Sequence, residues 1–227
     1  MYVRARCLLL LIALLALAGG ARAQDVEPRF DAAKVPADGA RIEDFIPRSW
    51  KVGQKLTGDL NGDARPDTVV QLVPADYPDE PAVSDAAPPD QALLILLATD
   101  NGRLHRAGLA AKLLDTDGPQ YILDLSIKNG VLVVHQNYGM SDVVDLTHRF
   151  RYDPTAARFQ LIGRDSFIYT RPLSDDTEKV SENYLTGVRL TTTGHFSRKS
   201  AIVRETTARA RIPVKKVYFE DVSERTE

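Results

Sequence analysis

The sequence GDLNGDARPD at positions 58–67 contains the densest set of residues that could bind a metal ion. In a tight calcium loop, side chains at positions 1, 3, 5 and 9 surround one centre, and the carbonyl of position 7 adds another oxygen. These positions are held here by Asp59, Asn61, Asp63 and Asp67, with the backbone of Arg65 at position 7. Calcium is a hard cation that takes six to eight oxygen ligands, whereas zinc and copper favour imidazole and thiolate. The pattern therefore predicts a calcium site.

Two features of the loop modify this prediction. Position 6 needs a positive φ and is usually Gly, so Ala64 should cost about 1 kcal/mol or alter the turn. Position 12 is Val70, where a helix-loop-helix site carries a bidentate Glu. The loop is therefore expected to join two strands and to bind calcium as a structural clamp, with a Kd of about 10⁻⁴ to 10⁻³ M. The alternative is an Asx-rich turn without an ion, in which the same side chains cap backbone amides.

The string GDLNGDARPD and the β-branched strand after it resemble the calcium loop of FG-GAP (integrin α N-terminal-like) and VCBS repeats. The wider run DFIPRSWKVGQKLTGDLNGDARPDTVVQLV is similar to a group of secreted bacterial proteins that pair one such loop with a β-rich domain. Later landmarks of that similarity are ALLILLATDNGRL, LDLSIKNGVLVVHQNYG and HRFRYDPTAARFQLIG. The resemblance covers roughly Phe45 to Val222. It implies calcium ligation by Asp59, Asn61, Asp63 and Asp67 and no catalytic residue, and Ala64 departs from its usual Gly.

The elements that flank the loop show a period of two, which is typical of strands. Strands are predicted at 50–56, 68–73, 92–98, 104–110, 121–128, 131–138, 143–152, 159–163, 167–171, 184–192, 201–206 and 214–219. Asn129-Gly130 between two of these runs is a strong signal for a tight hairpin. The fold class predicted is all-β, mainly an antiparallel meander in a propeller-like or sandwich-like sheet. One short N-terminal helical turn is expected at 42–45.

The N-terminal residues have the pattern of a cleavable signal peptide at 1–23. Arg4 and Arg6 precede an apolar stretch from Cys7 to Ala18, and a small-x-small site ends at Ala23. That stretch is shorter than the roughly 20 residues that span a bilayer. Three of the 29 basic residues and none of the 31 acidic residues lie in this segment, so the processed chain is acidic. A periplasmic or secreted address is therefore predicted, with no integral membrane segment and no nucleic-acid partner.

The remaining chain divides into a flexible linker at 24–44 and a β-rich domain at 45–227. Within that domain, 74–91 is rich in Pro and acids and is predicted to be an exposed loop. With Cys7 removed, no thiol nucleophile remains, and Ser141 lacks the surroundings of a nucleophile elbow. If the β-hairpin turned near Met140 and Ser141, His135 would face Leu146 and share one sheet face with His148. Two such histidines could ligate a metal, although single histidines with a backbone or solvent partner are the commoner case.

No catalytic constellation is therefore predicted. The favoured hypothesis is a non-enzymatic, calcium-stabilised envelope module that binds an unknown protein or glycan partner or supports envelope integrity. One alternative is a secreted hydrolase acting on glycan or peptide, which would need a concave pocket with converging carboxylates or a His–acid pair. Another is an accessory protein that docks a partner through the acidic loop at 74–91.

Overall fold

The computed structural model describes residues 29–79, 85, 88–114, 119–170, 176–197 and 202–223. In chain order the strands are β1 (Asp38–Gly39), β2 (Trp50–Gly58), β3 (Asp67–Pro74), β4 (Ala92–Ala98), β5 (Leu104–Ala110), β6 (Ile122–Lys128), β7 (Val131–Tyr138), β8 (Asp142–Asp153), β9 (Arg158–Thr170), β10 (Asp176–Asn183), β11 (Val188–Ser197) and β12 (Ile202–Arg211). They form a five-stranded sheet in the order β1-β5-β4-β3-β2 and a seven-stranded sheet in the order β12-β11-β10-β9-β8-β7-β6. Every pairing is antiparallel, so the prediction of an all-β fold is confirmed.

Helical structure in the described residues is limited to three 3₁₀ turns, at Ala32–Lys34, Ile42–Phe45 and Phe219–Asp221. The helical segment predicted at 42–45 is therefore a single 3₁₀ turn and not an α-helix. It is too short to present an apolar stripe, and it buries only Phe45.

The main core lies between the two sheets. Val69, Leu93 and Ile95 of the five-stranded sheet share one buried cluster with Leu132 and Phe150 of the seven-stranded sheet. Strands β3 and β4 are buried on both faces, because a second cluster covers the outer face of their sheet. This burial on both faces explains why their sequences are continuous apolar runs rather than alternating ones.

Residues that precede β2 complete the second cluster on the outer face of β3 and β4. Val35 and Phe45 are buried against the five-stranded sheet, and β1 pairs with β5. A Cβ atom on Gly39 would lie 2.6 Å from the Phe45 ring, so Gly39 lets the chain pass closely over that ring. The guanidinium of Arg106 also donates a 2.7 Å hydrogen bond to the Val35 carbonyl. The described part of the expected linker, from residue 29 to residue 44, is therefore a packed part of the domain.

The seven-stranded sheet differs from the prediction in its C-terminal half. The strands expected at 159–163 and 167–171 form one strand, β9. Strand β10 was not predicted, because its sequence DTEKVSEN is charged and polar except for Val180 and carries no apolar face. The segment 214–219 makes only an isolated bridge, Gln160 to Tyr218, before the last 3₁₀ turn.

Candidate functional site

The predicted calcium loop connects β2 to β3, as expected for a strand-loop-strand site. It lies beside the β6–β7 hairpin, since a Cβ atom on Gly130 would lie 3.8 Å from the Asp59 carbonyl. Asn129 and Gly130 both adopt positive φ, 51° and 74°, which confirms the tight turn predicted there. The loop is thus held at the end of the sandwich where both sheets meet.

Three of the predicted ligands order the loop through their own side chains. Asp59 accepts backbone N–H bonds from Gly62 at 2.7 Å and from Ala64 at 2.9 Å. Asn61 Oδ1 accepts from the Asp63 N–H at 3.1 Å, and Asp63 Oδ1 accepts from the Arg65 N–H at 2.9 Å. The Arg65 hydrogen bond lowers the pKa of Asp63, and the Asn61 amide lowers it further.

Ala64 adopts φ of 65°, in the left-handed region that position 6 was predicted to need. The neighbouring Gly62 has φ of 84°. The loop therefore takes the tight conformation despite its Ala, at the steric cost of a Cβ atom in that region.

Asp67 occupies the interior of the loop. It is fully buried, and its two oxygens accept hydrogen bonds from the Leu60 and Ala98 N–H groups at 2.8 and 2.9 Å. Burial raises the pKa of Asp67 against the effect of these hydrogen bonds, and the carboxylates of Asp63 and Asp59 raise it further. The carboxylates of Asp59 and Asp63 thus act against the negative charge of Asp67.

Arg65 partly neutralises this negative charge. Its guanidinium donates to Asp63 Oδ2 at 2.8 Å and to the Ala98 carbonyl at 3.3 Å, and it forms an ion pair with Asp100. Only the backbone carbonyl of Arg65 was assigned to the site by its spacing. The cationic side chain was not foreseen, because Asp100 and Ala98 lie far from it in sequence.

The residue types in the loop suit calcium, because every candidate donor is an oxygen. Carboxylate oxygens have two lone pairs each, so a carboxylate that accepts an N–H bond can still bind an ion. In the part of the chain that the structure describes, however, no three His, Cys, Asp or Glu side chains are placed to hold a metal ion together. The loop has the hydrogen-bonded form of an Asx-rich turn, and ion binding would draw Asp59 and Asp63 toward Asp67.

His135 and His148, which were considered from the sequence as a metal-binding pair, do not share one face of the sheet. Gln136 faces Leu146 in the β7–β8 register, so His135 is opposite Thr147 and not Leu146. A register that differs by one residue moves a side chain to the other face of the sheet. His148 consequently lies in the core beside Phe150, whereas His135 is partly exposed and pairs with Asp145 at 3.1 Å.

A second site, not predicted from the sequence, is a cleft of about 500 Å³ between the two sheets. It lies at the end of β3 opposite the calcium loop, and Gln71, Gly53, Tyr77 and Tyr121 are among the residues that line it. Its volume lies within the range of small-molecule sites, roughly 300 to 1,000 Å³. The one hint in the sequence is Gln71, a polar residue inside the apolar run TVVQLV.

The buried carboxamide of Gln71 lines this cleft and is hydrogen-bonded to that of Gln91. Gln71 is 95 % buried, and its Nε2 donates to Gln91 Oε1 at 2.7 Å. Its Oε1 is directed toward Gly53, where an added Cβ atom would lie only 2.7 Å away. The buried Gln91 Nε2 has no acceptor among the described residues. The cleft lining thus presents the Gln71 carboxamide oxygen beside the vacant Cβ position of Gly53.

The described cleft lining carries no net charge. Lys51 Nζ and Asp79 Oδ1 form an ion pair at 2.7 Å, and this hydrogen bond lowers the pKa of Asp79. Burial raises the pKa of Tyr77 and of Tyr121, so both phenols stay neutral. The Tyr121 hydroxyl donates to Gln136 Oε1 at 3.2 Å. The lining can therefore bind through hydrogen bonds and ring contacts.

The acid–base pairs that a hydrolase would need lie elsewhere. His135 with Asp145, and His105 with Asp38 at 2.8 Å, are partly exposed pairs outside the cleft lining. Of the acidic loop predicted at 74–91, residues 80–84 and 86–87 lie outside the described residues, while Gln91 at its end is buried. The predicted signal peptide at 1–23 also lies outside them.

Known proteins offer no further guide to the site. No protein-family model, no curated protein and no solved structure matches this chain. Among the described residues, no helix has the length and apolar character needed to cross a bilayer.

Proposed function

We propose that this chain is a calcium-stabilised binding module of the bacterial envelope, which holds a neutral, hydroxyl-rich ligand of glycan type in the cleft between its sheets. The observation that supports this proposal is the Gln71 carboxamide, whose Oε1 faces the vacant Cβ position of Gly53 in the lining of an uncharged cleft. A carboxamide oxygen accepts hydrogen bonds, so a ligand hydroxyl would donate one to it.

The chemistry of the lining favours a sugar over a charged ligand. Tyr77 and Tyr121 offer aromatic surface for the apolar face of a sugar ring, and Gln71 accepts from a hydroxyl. The Lys51–Asp79 pair at the cleft supplies both a donor and an acceptor. A charged ligand would have to break this pair or remain uncompensated.

In this proposal calcium binds the loop and has no contact with the ligand. The ion would be held by Asp59, Asn61, Asp63, Asp67 and the carbonyl of Arg65, and it would supply only positive charge. That charge would relieve the repulsion that Asp59 and Asp63 exert on the buried Asp67 carboxylate. The clamp would fix β2 to β3, the two strands that supply Gly53 and Gln71 to the cleft.

The proposed function also includes export of the chain from the cytoplasm. The signal-peptide pattern at 1–23 supports a periplasmic or extracellular location for the domain. A loop with a Kd of about 10⁻⁴ to 10⁻³ M is suited to extracellular calcium concentrations.

Titration calorimetry of the purified chain with neutral soluble oligosaccharides, for example chito- and malto-oligosaccharides, tests the ligand proposal. We expect at least one to bind, and Gly53→Ala to reduce its affinity tenfold or more, since the new Cβ displaces the Gln71 carboxamide. Gly163→Ala is the matched control, because its Cβ would meet only an ordinary 3.4 Å contact. Absence of binding at millimolar concentration, or equal binding by Gly53→Ala, would contradict the proposal.

A further inference from the structure

Strand β12 is the outer edge of the seven-stranded sheet and differs from the other described sheet edges. An exposed edge presents unpaired N–H and C=O groups to any other strand, and proteins usually blunt it. Strand β1 has only two residues, and β2 has an irregularity between Val52 and Lys55. Strand β6 lies beside β2, and its Leu123 carbonyl accepts a 3.0 Å hydrogen bond from Gln54. All three edges are therefore protected.

Strand β12 has none of these protections. It pairs with β11 over ten consecutive residues without a register shift, and its sequence IVRETTARAR contains neither Pro nor Gly. Residues 204–211 are all exposed. Such a long, regular and exposed edge is suited to receive one more strand.

The backbone groups that face outward can be identified. The Ile212 N–H donates to the Gly187 carbonyl at 3.0 Å, so these two residues form a hydrogen-bonded pair. Because hydrogen-bonded and non-bonded pairs alternate in an antiparallel ladder, the even-numbered residues of β12 bond to β11. The backbone groups of residues 203, 205, 207, 209 and 211 consequently point away from the sheet.

In one antiparallel arrangement, the charges on this edge are complementary to those on the same edge of a second copy of the chain. If a second β12 lies antiparallel with Thr207 opposite Thr207 of the second copy, Glu205 is opposite Arg209 of the second copy, and the reverse pair forms as well. All five outward residues then pair, residue 203 with residue 211. On the other face, Thr206 meets Ala208 of the second copy, and these small side chains do not obstruct the contact.

Other registers are less favourable. Centring the two-fold axis on Glu205 or on Arg209 would place like charges directly opposite each other, which is destabilising. Centring it one residue to either side of Thr207 removes the Glu205–Arg209 pairs and shortens the overlap at one end. We propose that two copies of this chain associate through β12, antiparallel about a two-fold axis at Thr207, so that both seven-stranded sheets become one continuous sheet.

Sedimentation velocity of the purified chain at 1 to 100 μM tests this association. We expect the wild-type chain to sediment as a dimer, and Glu205→Arg and Arg209→Glu each to sediment as monomers, because each places like charges opposite one another. An equimolar mixture of the two variants should form a dimer again, since each supplies the charge that the other lacks. This restoration also shows that both variants are folded.

Two further variants separate the edge contact from a general charge effect. Thr207→Pro should give a monomer with an intact fold, because it removes an outward N–H that has no bond to β11. Arg204→Glu should remain a dimer, because its side chain lies on the other face of the strand opposite Ala210 of the second copy. A monomeric wild-type chain, a dimer that survives Thr207→Pro, or a mixture that stays monomeric would overturn the proposal.

Discussion

The carboxylate of Asp67 accepts a 2.9 Å hydrogen bond from the backbone N–H of Ala98, which ties the first residue of β3 to the last residue of β4. The same carboxylate also accepts the Leu60 N–H at the other side of the loop. Asp67, the predicted calcium ligand in the interior of the loop, is therefore also the residue that fixes the loop to the sheet. Because ions that bind only the folded state add to its stability, occupancy of the loop should be readable as a change in unfolding.

The first prediction concerns Asp63, the central carboxylate of the loop. Millimolar calcium should stabilise the wild-type chain by about 1 to 3 kcal/mol relative to chelator, a rise in Tm of several degrees. Asp63→Ala should abolish this rise, because it removes one of three carboxylates. Asp124→Ala makes the same charge change at an exposed position on β6 and should leave the rise intact. A scan in which Asp63→Ala responds to calcium like the wild type would exclude the loop as the calcium site.

Ala64 leads to a second prediction, which needs no ion. A left-handed conformation costs an Ala about 1 kcal/mol more than a Gly, so Ala64→Gly should raise the free energy of unfolding by about that amount. Urea denaturation should place the midpoint higher, and the calcium affinity of the better-formed loop should increase. Ala156, which lies in a turn and has no positive φ, provides the control. Ala156→Gly should lower stability by roughly 0.5 to 1 kcal/mol.

The third prediction is the pH dependence of calcium binding. Burial and the Asp63 and Asp59 carboxylates raise the pKa of Asp67 above its ordinary 3.8. Calcium requires the ionised form, so the calcium-dependent rise in Tm should begin to shrink at a pH above 3.8, where an ordinary Asp is still ionised. In chelator, a rise in pH has the opposite effect on stability. The folded state binds more protons than the unfolded state in this window, so the contribution of Asp67 to stability falls as pH rises through it.

A fourth prediction concerns the outer strands, where Glu182 is buried and Arg189 donates to it at 2.8 Å. Burial opposes ionisation of Glu182, but hydrogen bonds from Tyr184 and Arg189 lower its pKa below 4.5 overall. Arg189→Met should therefore cost about 2 kcal/mol at pH 7, because the buried carboxylate loses its partner, while half of the Arg189 side chain is exposed to solvent. The contribution of this group is present above pH 4.5 and is lost as pH falls.

Urea denaturation at pH 7 and at pH 4 measures this effect. The cost of Arg189→Met should be smaller at pH 4, where the unpaired Glu182 can protonate. Arg189→Lys retains the positive charge and should cost less than Arg189→Met at pH 7. Equal costs for both variants at both pH values would show that packing, and not the charge on Glu182, explains the loss.

Local patterns in the sequence were sufficient for several elements. The bounds of β4, β5 and β7 agree with the prediction because apolar or alternating runs there end at clear turn residues. The left-handed conformation of residue 64 was also predictable, since it follows from position in the loop. Strand β10 was not, because its pairing depends on neighbours and not on an apolar pattern of its own.

Features that depend on distant residues could not be read from the sequence. The β7–β8 register depends on the residues at which the hairpin reverses direction. A shift of one residue places His135 and His148 on opposite faces of the sheet. The cleft joins Gly53, Gln71 and Tyr121, which only the packing of two sheets brings together. Glu182 belongs to a strand rich in charged and polar residues, and its burial comes from the strands on either side.

Strands β8 to β12 follow one another across the sheet in the same order as along the chain. The inner strands share the buried core, whereas residues 204–211 of β12 are exposed. In an isolated copy, amide hydrogen exchange should therefore slow stepwise from β12 toward β8, because each strand opens only after its outer neighbour has left.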